Sequence, residues 1–222
     1  MPPDSAPLSF TRDDRLLFIG DSITDCGRNN DPEHLGQGYV RLVRDALLAR
    51  DPAAAPQIIN RGTNGHRVPD LAERWDRDVI AADPTVVSIK IGINDVWRQL
   101  DTPGLGVPIE DYTATYAGLL ERTRTALPGA KLVLCEPSVI WPRASPTPTR
   151  GNELLQPYVH AVRALGEQFG VAAVVGLHGA FVSARSARPE VDWAPDGVHP
   201  SPVGHMLIAH TWLKAVLGQV DG

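Results

Sequence analysis

At 222 residues, of which 43% are hydrophobic and 21% charged, the chain has the length and composition of one globular domain with one core. Its net charge of −5 argues against binding to nucleic acid, and it has no run of about 18 apolar residues that would predict a membrane span. Residues 1–14 lack the basic and apolar regions of a secretion signal and two cysteines make no disulfide framework, so we expect a cytoplasmic protein with reduced thiols.

Short apolar runs alternate with amphipathic segments along the whole chain. The runs are rich in Val, Ile and Leu and lack polar alternation, which is typical of parallel strands that are covered on both faces. The predicted strands are Leu16–Gly20, Gln57–Asn60, Thr85–Gly92, Lys131–Pro137 and Val171–Val175.

The segments between these runs predict helices, because their apolar residues recur at helical spacing. The predicted helices are Tyr39–Leu47, Val68–Val79, Tyr112–Leu127, Gly151–Gly170 and a last helix that follows Ser201 as its N-cap and ends before Gly218. Alternating strands and helices predict one α/β domain over residues 1–222, with a doubly wound parallel sheet and right-handed crossovers. We expect residues 1–13 to form an extended N-terminal segment.

Each of the first three predicted strands ends in a polar turn that contains glycine. The turns are Gly20-Asp21-Ser22, "NRGTNGHR" at 60–67 and "GINDVW" at 92–97. One such turn usually reflects turn chemistry alone, and Ser22 by itself is equally consistent with a helix N-cap. Because the carboxyl ends of neighbouring parallel strands form one crevice, three such turns together favour a functional site.

A serine nucleophile requires a base and a group that orients the base. Six of the seven histidines are consistent with loop or helix-surface positions: His34, His66, His160, His178, His205 and His210. His199 differs, because it follows Asp196 by three positions in the loop before the last helix. This spacing allows the carboxylate to hold one ring nitrogen and leaves the other free for a serine. It is common by chance, so it gains meaning only beside the serine at the strand end.

Other catalytic motifs are absent from the sequence. There is no G-x-S-x-G elbow, because Thr24 stands two residues after Ser22. There is also no phosphate loop, dinucleotide fingerprint or zinc-binding spacing, and nothing near Cys26 indicates an activated thiol. The sequence therefore supports these chemistries less well than a serine nucleophile.

Four blocks of the sequence resemble, in order, the signature blocks of the SGNH, or GDSL, hydrolases. They are "GDSITD" at 20–25, "NRGTNG" at 60–65, "GIND" at 92–95 and "DGVH" at 196–199, so that they span most of the chain. The resemblance implies a flavodoxin-like, three-layer sandwich with a five-stranded parallel sheet, and ester hydrolysis without metal or cofactor. It also implies a triad of Ser22 as nucleophile, His199 as general base and Asp196 as its orienter.

The same resemblance implies an oxyanion hole. Its donors would be the N–H groups of Ser22 and Gly65 and the side-chain amide of Asn94. Gly65 is preferred to Gly62 because the family glycine lies five residues after the leading Asn60 of its block. Such donors stabilise the negative charge that develops on the former carbonyl oxygen.

Longer strings, such as "IGINDVW" and "WAPDGVHPSPVGHMLIA", look closest to the intracellular bacterial acetylxylan esterases of this superfamily. That resemblance implies removal of acetyl groups from xylo-oligosaccharides or related carbohydrates by a homo-oligomer. The sequence departs from the family at His66, where many members have an acidic residue beside the oxyanion glycine.

Residues that could bind the substrate are less sharply marked. Trp97, Trp141 and Trp193 fall in predicted loops, where they could stack on a sugar or simply pack, and Asp21 is either a substrate contact or a structural residue of its turn. The Pro- and Gly-rich insertions at 101–108 and 138–151 could form pocket walls or surface loops, and their polarity favours short acyl chains. Two alternatives stay open: a lysophospholipase or thioesterase of the same family, and a non-catalytic carbohydrate-binding protein.

Overall fold

The computed structural model describes residues 6–102, 104–138 and 148–218, and within them five strands alternate with eight α-helices. The strands are β1 (Arg15–Gly20), β2 (Gln57–Gly62), β3 (Val86–Lys90), β4 (Lys131–Cys135) and β5 (Ala173–Val175). The helices are α1 (Ser22–Asp25), α2 (Tyr39–Arg50), α3 (Val68–Asp78), α4 (Ile93–Asp101), α5 (Ile109–Ala126), α6 (Pro148–Gln168), α7 (Leu177–Ala187) and α8 (Pro202–Leu217). Two 3₁₀ helices lie at Arg28–Asn30 and Ile80–Ala82.

The five strands form one parallel sheet in the order β2-β1-β3-β4-β5. This is the flavodoxin-like strand order, and it confirms the predicted α/β fold. In register, Gly20 at the end of β1 lies between Gly62 of β2 and Lys90 of β3. The strand order reverses between β1 and β3, and ligands of such sheets bind at the carboxyl ends of the strands beside this reversal.

Helices cover both faces of the sheet and bury its central strands. Leu16 to Ile19 of β1 have no exposed surface, as expected for a strand that reads as a continuous apolar run. Two buried tryptophans link neighbouring elements, each through its indole N–H. Trp75 of α3 donates to Thr123 of α5 at 3.0 Å, and Trp212 of α8 donates to Ser88 of β3 at 3.0 Å.

The structure adds three helices that the sequence pattern did not predict, α1, α4 and α7. The turns predicted after β1 and β3 lead directly into α1 and α4, and α7 follows β5. The described part of the N-terminal segment, residues 6–13, forms neither helix nor strand, and Leu8 N–H donates to the Val216 carbonyl at 2.7 Å. None of the helices in the described ranges is both long and apolar enough to cross a membrane.

Candidate active site

Ser22 lies at the point where β1 turns into α1. Gly20 is required there, because a Cβ at this position would lie 2.2 Å from the Lys90 carbonyl oxygen and 2.5 Å from the Thr24 hydroxyl. The Asp21 side chain caps α1 by accepting the Ile23 N–H at 3.0 Å. The cap is therefore Asp21 and not Ser22, so the hydroxyl of the serine is free for another partner.

That partner is His199, which the loop before α8 brings to the end of β1. The Ser22 Oγ lies 2.8 Å from His199 Nε2, and His199 Nδ1 lies 2.6 Å from Asp196 Oδ2. A carboxylate only accepts hydrogen bonds, so the Nδ1 proton donates to Asp196 and leaves Nε2 as an acceptor for the serine hydroxyl. The structure thus brings together three side chains that are 177 residues apart at the extremes.

Asp196 is held by more than the histidine ring. Its Oδ1 accepts the N–H groups of Val198 at 2.9 Å and His199 at 2.7 Å. Partial burial alone would raise the pKa of Asp196, but the hydrogen bonds from His199 and from these two N–H groups outweigh it and hold the pKa below its usual value. The carboxylate therefore keeps its charge, and its orientation, as the pH falls into the mildly acidic range.

Gly65 lies in a tight turn beside Ser22. The turn spans Thr63 to His66, is closed by the His66 N–H to the Thr63 carbonyl at 3.4 Å, and is anchored to β1 by the Thr63 N–H to the Gly20 carbonyl at 3.0 Å. Gly65 has φ +76°, the left-handed conformation that a type II turn needs at its third residue and that glycine adopts without strain. The turn therefore explains why glycine stands at this position.

Asn94 lies in the first turn of α4 and is almost fully buried. Its Nδ2 donates to the His66 carbonyl at 3.0 Å, which ties α4 to the turn that carries Gly65. An amide nitrogen has two hydrogens, so the second remains for a ligand in the cleft that Asn94 lines.

These residues share one open cleft with a volume of about 720 Å³, which lies within the usual range of small-molecule sites. Its lining is Ser22, Ile23, Cys26, Asn64, Gly65, Asn94, Trp97, Arg98, Asp196, Val198, His199, Pro200 and His205. All five residues that the family blocks singled out line this cleft. In the described ranges no group of three His, Cys, Asp or Glu side chains is arranged to hold a metal ion.

The four candidate substrate contacts have different positions. Trp97 lines the cleft, but from helix α4 and not from a loop as predicted. Trp193 lies in a loop, is absent from the cleft lining and donates its indole N–H to the Arg188 carbonyl at 3.1 Å. Asp21 is completely buried and caps α1, which is the structural role considered for it and not a position from which it could contact substrate. Trp141 lies outside the described residues.

Two of the histidines predicted at loop or helix-surface positions, His178 and His205, are buried, so the prediction was wrong for them. His205 lines the cleft, its Nδ1 accepts the Tyr39 N–H at 3.2 Å, and its Nε2 lies 3.6 Å from the Cys26 thiol. Burial lowers the pKa of His205 to about 4, so its ring is neutral near neutral pH. Helical spacing gives the missed signal, since His205 falls on the same face of α8 as Ile208 and Trp212.

Asp95 follows Asn94 in α4 but is buried and does not line the cleft. It has no exposed surface, and its Oδ1 accepts the Val68 N–H at the start of α3 at 2.9 Å. Burial raises the pKa of Asp95 to about 7, although this hydrogen bond opposes the change.

We expect Asp95→Asn to stabilise the protein more at pH 8 than at pH 5. In the wild type the folded state keeps a proton that the unfolded chain has lost between the usual pKa and about 7, so stability falls as the pH rises through this window. Asparagine has no such ionisation and can still accept the Val68 N–H. Thermal unfolding at the two pH values measures the difference, and the exposed Asp111→Asn is the matched control. An equal effect of Asp95→Asn at both pH values would contradict the assignment.

Comparison with known proteins shows which family this chain resembles in sequence. The family model of the GDSL-like lipase/acylhydrolase family matches residues 18–207. The acetylxylan esterase of Geobacillus stearothermophilus is 37% identical over 218 residues, which cover 91% of this chain and 94% of that protein. The human isoamyl acetate-hydrolyzing esterase 1 homolog is 23% identical, over 89% of this chain and 79% of that protein.

Solved structures give the same result. The crystal structure of Axe2, an acetylxylan esterase from Geobacillus stearothermophilus, superposes with a TM-score of 0.85 at 34% identity, over 96% of this chain and 97% of that one. Three further structures of Axe2 are of catalytic mutants, in which an aspartate, a histidine or a serine is replaced by alanine. A structure described as a GDSL-like lipase from Parabacteroides merdae has a TM-score of 0.88 at 35% identity, over 95% of this chain and 98% of that one.

The fold and these similarities define the chain as a carboxylic ester hydrolase. Within that class it belongs to the GDSL-like lipase/acylhydrolase family, as its four sequence blocks predicted.

Proposed function

We propose that this protein is a serine esterase that removes acetyl groups from xylo-oligosaccharides or related carbohydrates. The observation that carries the proposal is the line of hydrogen bonds from Ser22 through His199 to Asp196, with lengths of 2.8 and 2.6 Å, in an open cleft. The similarity to Axe2 supports it, because the catalytic mutants of that enzyme replace the same three residue types.

In the proposed reaction His199 Nε2 accepts the hydroxyl proton while the Ser22 Oγ attacks the acetyl carbonyl carbon. The carbonyl oxygen becomes an oxyanion that accepts hydrogen bonds from the N–H groups of Ser22 and Gly65 and from the free amide hydrogen of Asn94. As the intermediate collapses, the carbon–oxygen bond to the sugar breaks and His199 gives its proton to the leaving oxygen. The acetyl group remains on Ser22.

The second half repeats these steps with water. His199 accepts a proton from water, whose oxygen attacks the acetyl carbonyl, and the same donors stabilise the second oxyanion. The bond to Ser22 Oγ then breaks, the serine recovers its proton from His199, and acetate leaves. Asp196 stabilises the imidazolium that forms in each half and stays ionised throughout.

Preorganisation of the hole is the main contribution that the fold makes to this chemistry. Asn94 and the turn that carries Gly65 are fixed by hydrogen bonds before any substrate arrives, so the donors need no rearrangement when charge develops. Removing one such donor typically costs about 3–4 kcal/mol of transition-state stabilisation.

The acetyl group is the best supported part of the proposed substrate. The names of both relatives refer to acetyl esters, since one is an acetylxylan esterase and the other a homolog of an isoamyl acetate-hydrolyzing esterase. The cleft offers Trp97 as a surface on which a sugar ring could stack, with the polar side chains of Asn64 and Arg98 on the same lining. These features favour a carbohydrate over a long acyl chain.

The test compares substrates on the purified protein. We expect deacetylation of acetylated xylo-oligosaccharides, and higher kcat/KM for p-nitrophenyl acetate than for p-nitrophenyl octanoate. A clear preference for octanoate would contradict the proposal in favour of a lysophospholipase or thioesterase. Sugar binding without turnover, and without labelling by a serine-directed phosphonate, would favour a non-catalytic binding protein. Other acetylated sugars in the same assay define which carbohydrate is preferred.

Two further expectations from the sequence stay predictions. One is a homo-oligomer, which light scattering of the purified protein measures directly. The other is a cytoplasmic location, which fractionation of the source cells would test.

A further inference from the structure

We infer that His66 and Arg74 are positioning residues of the oxyanion hole, with His66 acting as a neutral hydrogen-bond acceptor that couples the Gly65 turn to Arg74. The inference rests on the proposed function, because it assigns a role toward the same reaction. It also gives a meaning to the departure of His66 from the acidic residue that many family members have there.

Arg74 of α3 is buried and lies behind the two strands that end beside Ser22. Its guanidinium donates to the Arg61 carbonyl of β2 at 2.7 Å and to the Gly20 carbonyl of β1 at 3.1 Å. It also donates to Asp78 at 2.8 Å and, through Nε, to His66 Nδ1 at 3.1 Å. One planar cation thus links the ends of β1 and β2 to the turn that carries Gly65.

Two of these contacts lead directly to the proposed donors. The Gly20 carbonyl that accepts from Arg74 also accepts the Thr63 N–H at 3.0 Å. This single oxygen therefore binds both the guanidinium and the first residue of the turn that carries Gly65. His66 is bound at two points, because its ring accepts from Arg74 while its carbonyl accepts from Asn94 Nδ2 at 3.0 Å. His66 therefore connects the backbone donor of the hole with its side-chain donor.

The chemistry of this contact requires a neutral imidazole. Arginine has only donors, so Nδ1 of His66 must be the acceptor and the ring proton must lie on Nε2. Burial and the positive charge of Arg74 both lower the pKa of His66, which agrees with the geometry. A protonated ring would direct an N–H at the guanidinium, so an acidic residue or a neutral acceptor fits here and a cation does not.

Burying an arginine is costly unless its donors are satisfied. Here the Arg74 guanidinium donates hydrogen bonds to two backbone carbonyls, one carboxylate and one imidazole, all in fixed positions. Three of these four acceptors belong to the strand ends or the turn around Ser22. Loosening this network should change the position of donors that act on the oxyanion, and such donors matter more in the transition state than in the ground state.

The experiment compares two variants of His66 with a control variant at another histidine, His210. His66→Ala removes the acceptor, whereas His66→Asn places an amide oxygen where Nδ1 was and can still accept from Arg74. We expect His66→Ala to lower kcat for p-nitrophenyl acetate by about 10- to 100-fold with little change in KM, because small misplacements of catalytic groups have effects of this size. His66→Asn should recover most of the loss, and the exposed His210→Ala should match the wild type.

Arg74→Lys gives an independent test, because lysine keeps the positive charge but lacks the planar guanidinium that donates to several acceptors at once. We expect it to lower kcat as His66→Ala does, and thermal unfolding shows whether each variant is folded. The inference is overturned if folded His66→Ala has wild-type kcat, if only its KM changes, or if His66→Asn loses as much activity as His66→Ala. The catalytically inactive control is Ser22→Ala; turnover by that variant would refute the proposed function itself and is distinguishable from all three outcomes.

Discussion

Ser22→Ala is expected to lower kcat for p-nitrophenyl acetate by about 10⁴- to 10⁶-fold, the scale seen when a serine nucleophile is removed from a triad. The variant lacks the oxygen that forms the acyl-enzyme, so only binding and the oxyanion donors can still contribute. KM should change little, because the lost group acts on the transition state.

The fold should not suffer from this change. Asp21 and not Ser22 caps α1, and the serine hydroxyl is bonded to His199 rather than to the core. Unfolding temperature should therefore stay close to that of the wild type, and Ser183→Ala, at an exposed serine of α7, is the matched control. A mass shift with a serine-directed phosphonate should appear in the wild type and in Ser183→Ala but not in Ser22→Ala. Turnover within about tenfold of the wild type would exclude Ser22 as the nucleophile.

The sheet could be predicted from the sequence because its central strands β1, β3 and β4 are largely buried on both faces. Continuous apolar runs fix five strands, and their observed bounds differ from the predicted ones by only one or two residues at most ends. The helices α1 and α4 escaped prediction because both begin inside the polar turns that follow β1 and β3. In α4 the apolar residues Ile93, Val96, Trp97 and Leu100 do recur at helical spacing, but the first three of them belong to the stretch 92–97 that reads as a turn.

Some residues at the cleft could be predicted from the sequence and others could not. Ser22, Asn94 and His199 stand in short blocks at the ends of predicted elements, where a one-dimensional pattern can single them out. Arg74 could not be found in this way, because its partners are backbone carbonyls of Gly20 and Arg61 whose positions depend on the register of β1 and β2. A side chain that acts through the backbone of other segments leaves no spacing rule in the sequence.

Asp196→Asn is expected to lower kcat by about 10³- to 10⁴-fold with KM nearly unchanged. Asparagine can keep the oxygen that accepts the Val198 and His199 N–H groups, so the loop should retain its shape. Its amide nitrogen would then face His199 Nδ1 as a donor. The neutral imidazole would then carry its proton on Nε2 instead of Nδ1. In that tautomer Nε2 is a donor toward the Ser22 hydroxyl and cannot accept the hydroxyl proton.

The size of this effect depends on how much of the orientation Asp196 supplies. Its side chain is 57% exposed, so water can replace part of the lost interaction, and we expect a smaller loss than for Ser22→Ala. Steady-state kinetics on p-nitrophenyl acetate measures the loss, and Asp76→Asn, at another exposed aspartate, is the control. If Asp196→Asn keeps kcat within about tenfold of the wild type, His199 does not depend on Asp196 for its tautomer. The base would then be held by its own loop, and the site would function as a Ser–His pair.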